Sequence, residues 1–239
     1  MKVLAAGVLN MSGKRTLLIT GASSGIGAAT ARQAVAQNFQ LALAARSMDK
    51  LEQLTQELGS DNVRAFTCDV TDYASQEKLV DDVIKAFGRL DAVFANAGTG
   101  GEAGGFSGAP VESWQKIVNT NILGVAYTLR ASLEAIKKAQ GHVVITGSIA
   151  GRKVLSGSMY SASKWAVSAI GYNLREEMRG TGVRVTLIEP GMVDTPFFDD
   201  PKPDALRPDD VARTVLFALS QPPGVDITEL VVMPTPPTE

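Results

Sequence analysis

Seven short, continuously apolar runs, separated by longer stretches with helical periodicity, leave this chain few ways to fold. The runs are Thr16 to Thr20 (TLLIT), Leu41 to Ala45, Val63 to Cys68, Ala92 to Ala95, Val143 to Thr146, Val183 to Ile188 and Leu230 to Met233. A strand with one face in water alternates apolar and polar residues, whereas a strand in a parallel sheet covered on both faces is apolar throughout. Between the runs, Leu51, Leu54 and Leu58, then Leu79, Val80, Val83, Ile84 and Phe87, recur at the spacing of an amphipathic helix. From Glu112 to Lys138 the same period continues as one long predicted helix. Strand then helix, repeated, predicts crossover units and an α/β fold: a doubly wound, mostly parallel seven-stranded sheet with helices on both faces. Pro208, followed by Asp209 and Asp210, marks a further helix start, because acidic residues suit the first turn.

No composition break or internal repeat divides the 239 residues, so residues 13 to 239 are expected to form a single domain. Residues 1 to 12 are read as an extension with Met11 as an alternative start, since MKVLAAGVLN is too short for a signal peptide and lacks a convincing cleavage site. The formal net charge is -2 and no window is rich in lysine and arginine, which argues against nucleic-acid or membrane-surface partners. Cys68 has no second cysteine to pair with, and His142 is the sole histidine, so neither a disulfide nor a Cys/His zinc site is expected. These features suggest a reduced, cytoplasmic protein with small-molecule partners.

Directly after the first apolar run comes Thr20-Gly21-Ala22-Ser23-Ser24-Gly25-Ile26-Gly27, and helical spacing follows. Glycines here permit a tight turn and close approach of backbone to a phosphate, while free amides at the helix start favour an anion. The second run ends Ala44-Ala45-Arg46-Ser47. An acidic residue at this point would suit the ribose of NAD; Arg46, with Ser47 as a further donor, suits a 2′-phosphate and so NADP, with NAD possible. Arg46 could equally be an exposed strand-end charge.

In MYSASKW, Tyr160 and Lys164 stand four apart, on one helix face. A tyrosine serves as a proton donor near neutral pH if its pKa is lowered, and a neighbouring ammonium favours the phenolate. Ser148 follows the run VVIT, at the carboxyl end where parallel sheets bind ligands, and could donate to a substrate oxygen or merely cap the strand. Asn121 sits in a largely apolar helix, where a buried amide needs partners. Asp69 could cap the next helix, and Arg152 and Lys153 could attract an anionic substrate or be solvated loop charges.

These motifs resemble the short-chain dehydrogenases/reductases, in order, from about residue 13 to 239. TGASSGIG is similar to that family's cofactor loop, with Gly21, Ser23, Ser24, Gly25, Ile26 and Gly27 as contacts. Asn96-Ala97-Gly98 is similar to its NAG motif, and Asp69-Val70 to its adenine-contacting pair. Asn121, Ser148, Tyr160 and Lys164 match its catalytic set, and Pro190, Gly191, Val193 and Thr195 its PG…T segment. The resemblance implies hydride transfer between a nicotinamide cofactor, NADP preferred, and an alcohol/carbonyl pair. Tyr160 would be acid/base, Lys164 would hold the nicotinamide ribose, and Asn121 would hold a water relaying protons from Lys164. It also implies a homo-oligomer, tetramer or dimer. A sensor or scaffold of the same fold, and a methyltransferase on a doubly wound sheet, are the rival classes; neither calls for the serine, tyrosine and lysine set. Two features depart from the family. Ser148 precedes Tyr160 by twelve residues, about one short of the usual spacing, and the segment TPFFDDPKPDALRP is short, suggesting an open pocket. The C-terminal ELVVMPT resembles members acting on small hydroxy acids.

Overall fold

The computed structural model describes residues 13–59 and 61–235; the expected extension at 1 to 12 falls outside them. Seven strands form one all-parallel sheet: β1 (Thr16–Thr20), β2 (Gln40–Ala45), β3 (Val63–Thr67), β4 (Ala92–Ala95), β5 (His142–Thr146), β6 (Arg184–Pro190) and β7 (Glu229–Val232). Their order is β3-β2-β1-β4-β5-β6-β7, so the winding reverses between β1 and β4. Both faces are covered, which explains the unbroken apolar runs. Leu17 and Ile19 point to one side, into a core shared with Leu41, Leu43, Val144 and Ile188, while Leu18 points to the other, with Val93, Val143, Ile145 and Leu187.

The first core is closed by α1 (Gly25–Ala36), α2 (Met48–Leu58) and α8 (Pro208–Ser220), through residues such as Ala31, Leu51 and Val215. The second is closed by α3 (Tyr73–Phe87), α6 (Gly124–Ala139) and α7 (Met159–Glu177), through Val83, Leu129 and Val167. Two shorter helices, α4 (Gly105–Gly108) and α5 (Val111–Ile117), lie between β4 and α6. The start of α8 has the expected form: Pro208 opens it and the Asp210 carboxylate accepts the Arg207 backbone N–H at 2.7 Å.

Two elements differ from the expectation. The predicted helix from 112 to 138 is interrupted over Val118–Leu123, where the hydrogen bonds widen to a π-helical pattern, a frequent signature of functional sites. Asn121 lies inside that turn. Strand β6, expected to end at Ile188, runs on through Glu189 and Pro190; Pro190 is its last residue, and Glu189 is neutralised in the interior, as described below.

Candidate active site

The carboxyl ends of the strands open into a cleft of about 1090 Å³ spanning the switch point between β1 and β4. Of the expected site residues, all but Gly27 and Asn121 line it; those two lie just behind its wall. The turn from β1 to α1 requires glycine. Gly21 has φ +66° and a Cβ there would stand 2.9 Å from Ala97 Cα; Gly25 has φ +53°; a Cβ on Gly27 would stand 2.4 Å from the Gly21 carbonyl oxygen. Ser24 caps α1 without a side-chain hydrogen bond, and no acidic residue occupies the first turn, so the helix start presents its amides free of side-chain partners.

Asn96 acts on that loop from below. Its amide donates to the Thr20 and Gly21 carbonyls at 3.1 and 3.4 Å and accepts from the Thr146 hydroxyl at 3.1 Å, tying the ends of β1, β4 and β5 together. The Thr20 hydroxyl accepts the backbone N–H groups of Asn96 and Ala97 at 3.0 and 3.2 Å. Thr20 and Thr146 carry no motif signal: a threonine closing a buried strand looks like any other. At the far end of the cleft Arg46 and Ser47 are exposed, and the Ser47 hydroxyl makes no cap bond to α2. Asp69 does not cap α3; Asp72 does, accepting from Ala74 N–H at 3.1 Å. The Asp69 carboxylate instead accepts the Thr71 backbone N–H and hydroxyl, at 2.9 and 2.8 Å. Mainly the backbone bond, helped by the hydroxyl and by Arg46, holds its pKa below the usual value.

Tyr160 and Lys164 share the inner face of α7, as their spacing predicts. Lys164 is only 6% exposed, donates to the Thr146 carbonyl at 2.7 Å, and has its ammonium 5.9 Å from the Tyr160 ring centre. Burial lowers its pKa from 10.5 to about 8. The tyrosine itself differs from expectation. Burial raises its pKa above 10, and the opposing pull of the hydrogen bond with Ser148 is smaller. With Lys164 turned toward Thr146, the positive charge is too far away to offset the loss of water.

Ser148 both caps and faces the cleft: its hydroxyl accepts the Ala150 N–H at 3.1 Å, closing a 3₁₀ turn at Ile149–Gly151. That turn opens the segment between Ser148 and Tyr160. It is fixed to α7 by Ser161, whose hydroxyl donates to the Ala150 carbonyl at 2.7 Å, and it leaves no room at Gly151, where a Cβ would stand 2.7 Å from the Lys164 carbonyl. Arg152, just beyond, is not a solvated loop charge. Its guanidinium pairs with Glu189, which is fully buried, and with Glu229 on β7; Glu189 also accepts from the Ser168 hydroxyl at 2.9 Å.

The Asn121 amide is occupied: it accepts the Thr99 N–H at 2.8 Å and donates to the Thr99 carbonyl and Ser163 hydroxyl, both at 3.0 Å. The side chain braces the loop after Gly98, so a water relay through Asn121 would have to use the backbone freed by the π turn. The short segment after β6 does not leave Tyr160 uncovered either. Phe197 meets the Tyr160 ring edge-on, 5.6 Å between centres, and a Cβ on Gly100 would stand 3.1 Å from its tip. Val193 is buried and bridges to Leu206, and the Thr195 methyl packs on Gly25.

A glycine turn at the switch point of a doubly wound parallel sheet is the arrangement of a Rossmann-type dinucleotide-binding domain. The chain belongs to the short-chain dehydrogenase family, whose model matches residues 15–205. An uncharacterized oxidoreductase of Staphylococcus haemolyticus is 40% identical over 225 residues, 92% of this chain and 97% of that protein. The alcohol dehydrogenase of the archaeon Thermococcus sibiricus, solved in complex with 5-hydroxy-NADP, superimposes with a TM-score of 0.87 at 32% identity, covering 95% of this chain and 100% of that one. Serine dehydrogenase from Escherichia coli superimposes with a TM-score of 0.84, also at 32% identity, over 92% of this chain and 97% of its own.

Proposed function

We propose that the protein is an NADP(H)-preferring oxidoreductase that interconverts a small alcohol and its ketone or aldehyde, or a hydroxy acid and its keto acid. The observation that carries this reading is the convergence of Ser148, Tyr160 and Lys164 on the cleft whose glycine turn has no room for a single added methyl group. Such a cradle fits a pyrophosphate, and the solved relatives that bind NADP support the same cofactor class. Arg46 and Ser47, exposed beside the second strand, would take a 2′-phosphate, with Asp69 and Val70 toward the base. Pro190, Gly191, Val193 and Thr195 would border the nicotinamide, and Lys164 its ribose. A reduced nicotinamide bound there supplies the hydride that the carbonyl carbon accepts.

The chain's own residues handle the proton. Ser148 donates a hydrogen bond to the carbonyl oxygen and orients it; Tyr160 gives that oxygen its proton, so that ketone and NADPH become secondary alcohol and NADP⁺. In the reverse direction the tyrosinate accepts the proton. The buried Lys164 charge would stabilise the tyrosinate with its ammonium directed to the phenol side rather than to Thr146. No described helix is long and apolar enough to cross a membrane. A cytoplasmic homo-oligomer is the expected working form, with Trp165 and Tyr172 half-exposed on α7 available to a neighbouring copy.

The test is NADPH and NADH oxidation over a panel of carbonyl compounds by wild type and Tyr160→Phe. Loss of the hydroxyl should cut turnover by roughly 10²–10⁴ and leave NADPH affinity within about twofold. Retained turnover in the variant would refute the acid role.

A further inference from the structure

We infer that the site takes a neutral carbonyl compound bearing an apolar, flat group next to the reacting carbon, with Phe197 as the residue that selects it; this rests on the oxidoreductase reading above and narrows its substrate. The walls around Tyr160 are aromatic and aliphatic. Phe197 stands edge-on to Tyr160 and also to Phe198, 5.2 Å between centres at 72°, and is seated on Gly100. Trp114 lines the same cleft and is held edge-on by Phe106 at 5.9 Å; Leu155 and Met159 line it beside the tyrosine. Edge-to-face pairs of this kind present ring faces and edges suited to a further aryl or alkyl group.

The charges point the same way. Among the described residues lining the cleft, the cations are Arg46, Lys164 and Lys202. Arg46 lies at the second strand, far along the cofactor groove, and Lys164 is buried beneath the tyrosine with its ammonium on the Thr146 carbonyl. Lys202 lies over the Phe198 ring, 5.5 Å from its centre, with Asp199 and Asp200 beside it in the same lining. Arg152, a cation near Ser148, is taken up by Glu189 and Glu229, and neither it nor the adjacent Lys153 lines the cleft. Glu102, Asp199 and Asp200 leave the substrate end net negative against Lys202. A substrate carboxylate there would face these three carboxylates of the lining against one ammonium, that of Lys202. This runs against the hydroxy-acid likeness of the C-terminal ELVVMPT segment.

The experiment compares three compounds that share a phenyl group and a reacting ketone: acetophenone, methyl benzoylformate and benzoylformate. In each, the carbonyl carbon gains the hydride and its oxygen the Tyr160 proton, while NADPH is oxidised. The ester and the acid differ in charge at one group, and acetophenone, neutral but without the ester's activation of the ketone, controls for intrinsic reactivity. Wild type should show kcat/KM for the ester at least about tenfold above the acid. Phe197→Ala should lower kcat/KM for acetophenone at least about tenfold more than for butanone, a neutral ketone without the flat group. Acid turnover equal to or above the ester overturns the neutral-substrate inference alone, and an unchanged acetophenone to butanone ratio in Phe197→Ala overturns the role given to Phe197. If NADPH binds, by its fluorescence, and none of the three is reduced while other carbonyl compounds of the panel are, the inference fails and the oxidoreductase reading stands; if no carbonyl compound of the panel is reduced, that reading fails and the inference with it.

Discussion

At the level of single residues, the site depends on groups whose proton affinity is set by burial rather than by charged neighbours. Tyr160 is the clearest case: α7 brings it to the cleft, but desolvation there pushes its pKa up, while Ser148 pulls weakly down. Difference ultraviolet titration of wild type against Tyr160→Phe should therefore place the cofactor-free phenol above its ordinary value of 10. Saturating NADP⁺ should lower it, because the oxidised nicotinamide is positive; a value unmoved by NADP⁺ would count against this electrostatic account. His142 shows the same physics away from the site. Its ring is 2% exposed at the start of β5, held by the Thr186 hydroxyl at 2.7 Å, and burial, with Arg184 and Arg15 adding, lowers its pKa from 6.5 to about 3. Between those values the unfolded chain binds a proton that the folded chain refuses, so stability falls as pH falls through that window. From about pH 7 to about pH 5 this group should cost ~2 kcal/mol. No second imidazole blurs the reading, and His142→Gln should flatten that part of the urea-unfolding profile.

At the level of elements, the position of Ser148 is maintained by a cross-brace. The 3₁₀ turn after β5 is sewn to α7 by Ser161 and to β6 and β7 by Arg152, which pairs with Glu189 and Glu229. Arg152→Met would leave the Glu189 carboxylate fully buried with the Ser168 hydroxyl for company. Its guanidinium is about one-third exposed, so the loss should be roughly 2–4 kcal/mol in urea unfolding at neutral pH, and turnover should drop as Ser148 loosens. Adding Glu189→Gln should recover at least half of the stability, because the stranded charge is gone. This brace was illegible in the sequence. Arg152 reads as a loop charge or an attractor of an anionic substrate, Glu189 lies just past the predicted strand, and nothing in their spacing of 37 residues joins them. The π turn at Val118–Leu123 was equally hidden, since its apolar pattern runs on in helical register and the change lies in hydrogen bonding alone. Phe197 lies in the short segment whose length suggested an open pocket; that its ring packs on Gly100 and stands edge-on to the tyrosine was not readable from the segment's length.

On the scale of the whole molecule, the sheet order puts the glycine turn, Arg46 and Asp69 on the β1 to β3 side of the switch point and Ser148, Tyr160 and Pro190 on the other. The residues expected at the phosphate and adenine end and those expected at the reacting end thus come from opposite halves of one sheet. NADPH at about 100 times its Kd should stabilise the fold by ~2.7 kcal/mol, a rise of roughly 5–10 °C in Tm for a domain of this size. In Arg46→Asp that rise should shrink for NADPH and grow for NADH; an unchanged order of the two in thermal shift would remove Arg46 from the phosphate site. The apolar runs alone determined that the sheet is parallel and covered on both faces, because only burial on both sides tolerates residues such as Leu17, Leu18 and Ile19 in succession. The glycine turn and the tyrosine and lysine pair were equally readable, since local backbone freedom and helical spacing depend on near neighbours. Which strand lies beside which, how far Lys164 stands from Tyr160, whether Arg152 is free, and what covers the site were decided only by tertiary packing. Those properties arise between residues far apart in the chain, where desolvation and ion pairing act across space and leave no mark in sequence order.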